Sequence, residues 1–119
     1  MSIKIGQASL GETGGRNQQP GNQNGRELNI SNWYNGRWLG VLRYKSRKKA
    51  ERAAQTCEAA IKNRNIGYDM DNRNTAYEAA RAVGWDVSRI AKPVETDCSA
   101  LMMLCAVAAG CEAVAALYK

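Results

Sequence analysis

The clearest periodicity in the chain lies between residues 46 and 63. Ala50, Ala53, Ala54, Cys57, Ala60 and Ile61 recur at three- and four-residue steps, while Arg47, Lys48, Lys49, Glu51, Arg52, Glu58 and Lys62 take the opposite positions. That spacing predicts an amphipathic helix with Ser46 as its N-cap. A second helix is predicted from a different signal. Glu95-Thr96-Asp97-Cys98-Ser99 opens a run that is apolar from Ala100 to Ala109 and stops at Gly110. Thr96, Asp97 and Ser99 can each accept the orphan N–H groups of a first turn. A helix apolar on every side is expected to be buried, which puts Cys98 at the mouth of a buried central helix. Residues 75–83 predict a short helix burying Tyr77, Ala80 and Val83, with Asn72 or Asn74 as its cap and Gly84 as its stop. Residues 86–90 read as a single turn. Pro93 sends the chain onward in extended form, and Cys111 to Tyr118 reads as another helical turn or two.

Alternation in the first half predicts strands. Ile3 and Ile5 mark a short strand in residues 1–10. Residues 26–45 read as a β-hairpin, with Leu28, Ile30 and Asn32 alternating against their neighbours, Asn35-Gly36 as the turn, and Trp38 to Tyr44 as the return strand. Residues 11–25 and 64–74 read as loops from their glycines and amides. Short strands followed by helices, with no βαβ alternation, predict an α+β fold: a small antiparallel sheet beside packed helices. The 119 residues suffice for a single domain, 1–119, with strand, loop and hairpin in 1–45 and the helical part in 46–119.

Composition adds limits. There is no Phe, and alanine carries much of the apolar content, so helices are expected to pack closely through small residues. The net charge of +6 suits an anionic partner such as nucleic acid, an acidic cell wall or a lipid surface. Cys57, Cys98, Cys105 and Cys111 include no C-x-x-C pair, and the chain contains no histidine, so neither a metal nor another cofactor is expected. The thiols read as reduced and mostly core. The N-terminus has no apolar segment of signal-peptide length, and the Ala100–Ala109 run is too short to span a bilayer. Synthesis in the cytoplasm without a signal peptide is the expectation.

Candidate chemistry centres on Cys98. The positive end of a helix and its free N–H donors favour a nucleophilic thiolate there, and a small buried hydrophobe is the competing reading. Trp33, Tyr34 and Trp38 suit either base or sugar stacking or cross-strand packing. Arg43, Lys45, Arg47, Lys48, Lys49 and Arg52 form the densest basic patch, usable by a nucleic acid or simply solvated. The 11–25 loop lacks the lysine of a phosphate-binding loop. Asp69-Met70-Asp71-Asn72 lacks the glycine and distal glutamate of a calcium loop.

Ile66-Gly67-Tyr68-Asp69, Gly84-Trp85-Asp86 and Asp97-Cys98-Ser99-Ala100-Leu101 together resemble the NlpC-type cell-wall peptidases, a papain-like branch of the cysteine peptidases. The likeness is greater to the catalytic domains of endolysin-type peptidoglycan hydrolases of phages and prophages. Those carry an Asp-Cys-Ser-Ser-Leu motif at the start of the central helix. Gly6-Gln7-Ala8-Ser9, Gly21 to Glu27 and Trp33-Tyr34 are similar to a Gly-His-Ala-Ser, Gly-Asp-Gln-Thr-Gly-Lys-Glu and Trp-Tyr series in the same enzymes. The resemblance implies a papain-like domain, Cys98 as nucleophile, and Tyr68, Asp97 and Ser99 at the substrate. It implies peptidoglycan as substrate, anionic wall polymers as further partners and action at the bacterial cell wall. It also implies a histidine base on a strand after the Cys98 helix. Gln7 stands where relatives often show histidine, and an amide cannot serve as general base. The chain therefore has a nucleophile without its partner, as the front part of a longer enzyme or as a relative that only binds. A second chain or a homodimer is expected to complete the fold. Three functions follow: a cysteine endopeptidase or amidase on peptidoglycan, a non-catalytic wall- or protein-binding module, and a basic nucleic-acid binder.

Overall fold

The computed structural model describes residues 2–11 and 27–117. All but the first residue of the glycine- and amide-rich loop expected at 11–25, and most of the Gly21–Glu27 motif, lie outside the described residues. Strand β1 (Lys4–Ala8) pairs antiparallel with β2 (Leu28–Asn32), in a register running from Lys4 opposite Asn32 to Ala8 opposite Leu28. Ala8 and Leu28 are both buried, which anchors that end of the pair in the core.

The hairpin expected around Asn35-Gly36 does not form. The partner of β2 is β1, and the Trp33 N–H donates to the Ile3 carbonyl at 2.9 Å, continuing that pairing. Residues 33–45 contain no strand. The reason lies in the aromatic side chains. The Trp38 indole N–H donates to the Tyr34 carbonyl at 2.9 Å, and its ring packs at 5.9 Å from Trp33 and 5.4 Å from Tyr34. The turn thus closes on a side chain, which competes with a strand ladder for the backbone.

Helix α1 (Arg47–Lys62) matches its sequence signal closely. The Ser46 hydroxyl accepts from the Lys49 N–H at 3.2 Å, and Ala53, Cys57 and Ala60 are buried. Ala54, expected on the buried stripe, is exposed. Only one residue per turn is fully buried, with Ala50, Ala59 and Ile61 partly buried beside it. At its C-terminus the Asn63 amide donates to the carbonyls of Val87 and Ile90 at 2.8 and 3.0 Å. Its carbonyl oxygen accepts from the Asn65 N–H at 3.0 Å. This one side chain ties the end of α1 to the 3-10 turn at Val87–Arg89.

Strands β3 (Ile66–Tyr68) and β4 (Val94–Thr96) form a parallel pair, Ile66 opposite Val94, Gly67 opposite Glu95 and Tyr68 opposite Thr96. Helix α2 (Thr75–Ala82) and the 3-10 turn make the crossover between them. The chain therefore does contain a βαβ unit, contrary to the sequence-based expectation. All six residues of the pair are buried. Strands of three residues, covered on both faces, show no alternation to read. Tyr77 and Ala80 of α2 are buried as expected, whereas Val83 is only partly so. Gly84 (φ 66°) and Trp85 (φ 69°) then turn the chain through the left-handed region.

Helix α3 (Cys98–Ala108) packs against α1 and carries Leu101, Leu104 and Cys105 into the core. It is not buried all round. Met102 is 47% exposed, and Cys98 and Ser99 are exposed. Among the described residues, little covers the Met102 face except the short helix α4 (Glu112–Ala115) and the extended segment around Leu42 and Tyr44. The result is a mixed α+β fold in which α3 lies against α1 and its N-terminus emerges directly from the buried β4. Among the described residues no helix is long and apolar enough to cross a membrane.

Candidate active site

Of the three candidate caps for α3, Asp97 takes the role. Its backbone is extended (φ −125°, ψ −174°), and Oδ1 accepts from the Ala100 N–H at 2.8 Å and from the Ser99 hydroxyl at 3.0 Å. Oδ2 accepts from the Arg73 guanidinium at 3.4 Å. The carboxylate is nearly buried while Arg73 is half exposed, so the pair sits at the protein surface with its anion inside. Cys98 is the first residue of the helix, and its thiol is exposed. An exposed thiol one residue beyond a buried, fully engaged cap is held on a rigid stem.

Arg73 reaches Asp97 because a second carboxylate shapes the loop before it. Asp69 follows β3, and its N–H donates to the Thr96 carbonyl at 3.1 Å. Its Oδ1 accepts from the Asp71 N–H and its Oδ2 from the Asn72 amide, both at 2.9 Å. These bonds fold residues 69–73 back over the end of β4. Thr75 closes the other side, its hydroxyl accepting from the Glu95 N–H at 2.7 Å. Residues 69–72 thus use an acidic side chain to shape their own turn. Among the described residues no group of three or more His, Cys, Asp or Glu side chains is arranged to hold a metal ion.

The structure brings Asp97, Cys98 and Ser99 together at one point and places the other candidates elsewhere. Tyr68 lies in the core at 5% exposure, beside Thr96 in the β3–β4 register, and its N–H donates to the buried Glu27 carboxylate at 2.8 Å. Gln7 belongs to a separate network on β1. Its amide donates to Asn29 at 3.1 Å, and its carbonyl oxygen accepts from the Tyr34 hydroxyl at 3.1 Å. Arg73 was not singled out from the sequence, and Asp69 and Glu27 entered only as members of motifs, with no role of their own. Their structural roles come from partners between 3 and 41 residues away, which no local pattern shows.

Two clefts meet at Arg73 and Asn74. One, of about 910 Å³, is lined by the 70–75 loop and Glu78. The other, of about 820 Å³, runs past Ser99, Met102 and Met103 to Leu42, Tyr44 and Leu117. Its wall is mainly apolar, with Arg43 and Arg73 supplying positive charge. Partial burial, followed by the nearby thiols of Cys111 and Cys105, raises the Tyr44 phenol above its ordinary pKa, although the residue is still 39% exposed.

Asp97→Ala should lower stability by about 2 kcal/mol, since it removes a helix cap and leaves the Ala100 N–H without its acceptor. Asp97→Asn keeps an oxygen for the cap and should lose less than about half of that, the surface ion pair with Arg73 being worth little. Urea denaturation of the two variants checks the ordering.

No curated protein and no solved structure matches the chain. Residues 5–118 match the family model described as an endolysin-like domain. That span takes in all of β1 but its first residue and every later element through α4, including the Asp97–Ser99 corner. The chain belongs to the endolysin-like domain family.

Proposed function

We propose that this domain is the cysteine-bearing part of a peptidoglycan hydrolase, an endopeptidase or amidase in which Cys98 attacks an amide bond of the wall's stem peptide. Membership of an endolysin-like family supports a phage cell-wall lytic role or a related one. The single observation that carries the finer reading is the exposed thiol of Cys98 at the first position of α3, on a cap that is itself buried and fully bonded.

The chemistry follows in order. The Cys98 sulfur adds to the scissile carbonyl, whose oxygen gains charge. Backbone N–H groups at the start of α3, that of Cys98 among them, stabilise this oxyanion at the positive end of the helix. The leaving amine departs with a proton, and water then releases the acyl group from sulfur. Ser99 and Arg73 border the approach, and Asp97 holds the corner in place. A group must take the thiol proton and deliver it to the amine. The sequence contains no histidine, and this reading assigns the base to a partner chain assembled with the domain. Zymography on purified cell walls tests the proposal: the assembled wild type clears and Cys98→Ala does not. Equal clearing by both would end the case for Cys98 as nucleophile.

The missing histidine also favours a second reading, a wall-binding module without turnover. In that case pull-down on purified sacculi survives Cys98→Ala with no bond cleaved. In either case the charge of +6 should make retention on walls fall several-fold between roughly 50 and 300 mM salt, because screening shortens the reach of exposed charges. A sedimentation assay across that range reads the effect.

A further inference from the structure

The aromatic cluster at residues 33–38 is left over from the proposed chemistry. Trp33, Tyr34 and Trp38 are 47%, 44% and 47% exposed, yet the segment that carries them is fixed. The Trp33 N–H donates to the Ile3 carbonyl, the Tyr34 hydroxyl to the Gln7 side chain, and the Trp38 indole N–H to the Tyr34 carbonyl. Gly36 lets the rings meet. A Cβ there would come within 2.9 Å of the Trp38 ring and 3.0 Å of the Tyr34 ring. Arg37 then takes a left-handed backbone (φ 50°), which a side chain rarely adopts, as the chain returns to Trp38. A tight, strained turn thus holds three rings at the surface. Beside them lies a row of uncharged polar side chains. Gln7 and Asn29 face each other across β1 and β2, bonded at 3.1 Å, and Ser31 follows on the same face. No carboxylate occurs between Glu27 and Glu51.

We propose that Trp33, Tyr34 and Trp38, with Gln7 and Asn29, form a glycan-binding site that takes the N-acetylamino-sugar chain of peptidoglycan. The choice of glycan rests on the cell-wall reading above, while the site uses nothing of the Cys98 chemistry. Clustered, exposed apolar groups rimmed by polar ones mark an interaction surface. The chemistry of the patch selects the ligand. Sugar rings carry C–H groups on their faces, and these pack against the electron-rich faces of indole and phenol rings. Sugar hydroxyls both donate and accept, as side-chain amides do. An acetamido group repeats the donor–acceptor pair of Gln7 or Asn29 and adds a methyl that an indole can cover. A nucleic-acid backbone offers phosphate acceptors, which call for cationic donors in place of these two amides. The Trp33 and Tyr34 rings are inclined to Trp38 by 44° and 47°, so the three make an angled wall and not a parallel slot for a flat base.

The test uses the full chain with Cys98→Ala, so that binding is read without turnover, and the β-linked tetramer of N-acetylglucosamine as probe. Titration should shift the tryptophan emission to saturation, since Trp33 and Trp38 are two of the chain's three indoles. Trp33→Ala should weaken binding about tenfold, as loss of an aromatic anchor does. Its ring makes neither the Tyr34–Gln7 nor the Trp38–Tyr34 bond, so the thermal midpoint should move by less than about 3 °C. Gln7→Ala should weaken binding about threefold through lost hydrogen bonds. The affinity should hold between roughly 50 and 300 mM salt, because the probe is uncharged. No response to the sugar, or Trp33→Ala and Gln7→Ala binding as tightly as their parent, overturns the proposal. Tighter, salt-sensitive binding of an oligothymidylate would overturn it in favour of single-stranded nucleic acid. Self-association lost in Trp33→Ala, with no sugar response, would assign the rings to a second copy instead. The hydrolase reading fails separately: walls left uncleared by the assembled wild type, with the tetramer still bound, would remove that reading and leave this site standing.

Discussion

Cys98→Ala is expected to abolish amide cleavage in peptidoglycan while leaving the fold untouched. Removing the nucleophile of an acyl-transfer enzyme lowers kcat/KM by about 10³-fold or more, because the bond-forming atom itself is gone. That loss corresponds to about 4 kcal/mol of transition-state stabilisation. The cost to stability should stay within about 0.5 kcal/mol, as for most exposed substitutions away from special features. Cys98 is exposed, and the bonds that cap α3 belong to Asp97 and Ser99. Progress curves of amino-group release from sacculi, read beside thermal melts, separate the two effects. A melt lowered by several degrees would mean that the thiol has a packing role instead.

The largest effect on stability is expected at Leu101. This side chain is fully buried, one helical turn after Cys98, in the cluster that joins α3 to α1 and to the β3–β4 layer. Leu101→Ala should cost about 3–4 kcal/mol, the sum of lost transfer free energy and the cavity left behind. For a domain of this size that lowers the thermal midpoint by roughly 10 °C or more. Met102 provides the contrast. It is the next residue and is 47% exposed, so Met102→Ala should cost less than about 1 kcal/mol. A ratio near one between the two would mean that the Met102 face is covered in solution, by α4, by the 33–45 segment or by another chain.

These sites also show what could be read from the sequence. Helix α1 was legible because its signals agree: a serine cap, a basic outer face and an apolar stripe at helical spacing. The start of α3 was legible as well, since Asp97 was one of three adjacent capping candidates. The exposure of Met102 was not. An apolar run states that burial is favourable, and it does not state whether the rest of the chain supplies a cover. The β3–β4 pair was hidden for a related reason: three-residue strands buried on both faces carry no periodicity. The expected hairpin failed because a strong turn dipeptide, Asn35-Gly36, outweighed the weaker alternation of Ile3 and Ile5, which mark the strand that actually pairs with β2.

At the site itself, the residue types of Asp97, Cys98 and Ser99 and their adjacency were readable. The cap and its hydroxyl bond follow from local chain geometry alone. Arg73 was not readable, because it arrives through the turn that Asp69 and Asn72 make together. Adjacency in sequence thus specified the mount of the Cys98 thiol, and tertiary packing specified its surroundings.

Trapping the acyl-enzyme tests the central claim most directly. Soluble stem peptide from purified walls is incubated with the assembled protein, quenched in acid during turnover, and the chain's intact mass is measured before peptide mapping. A thioester adduct carrying the acyl part of the stem peptide, located on Cys98, is the predicted result. Product accumulating while Cys98 remains unmodified, or an adduct on another residue, would contradict it.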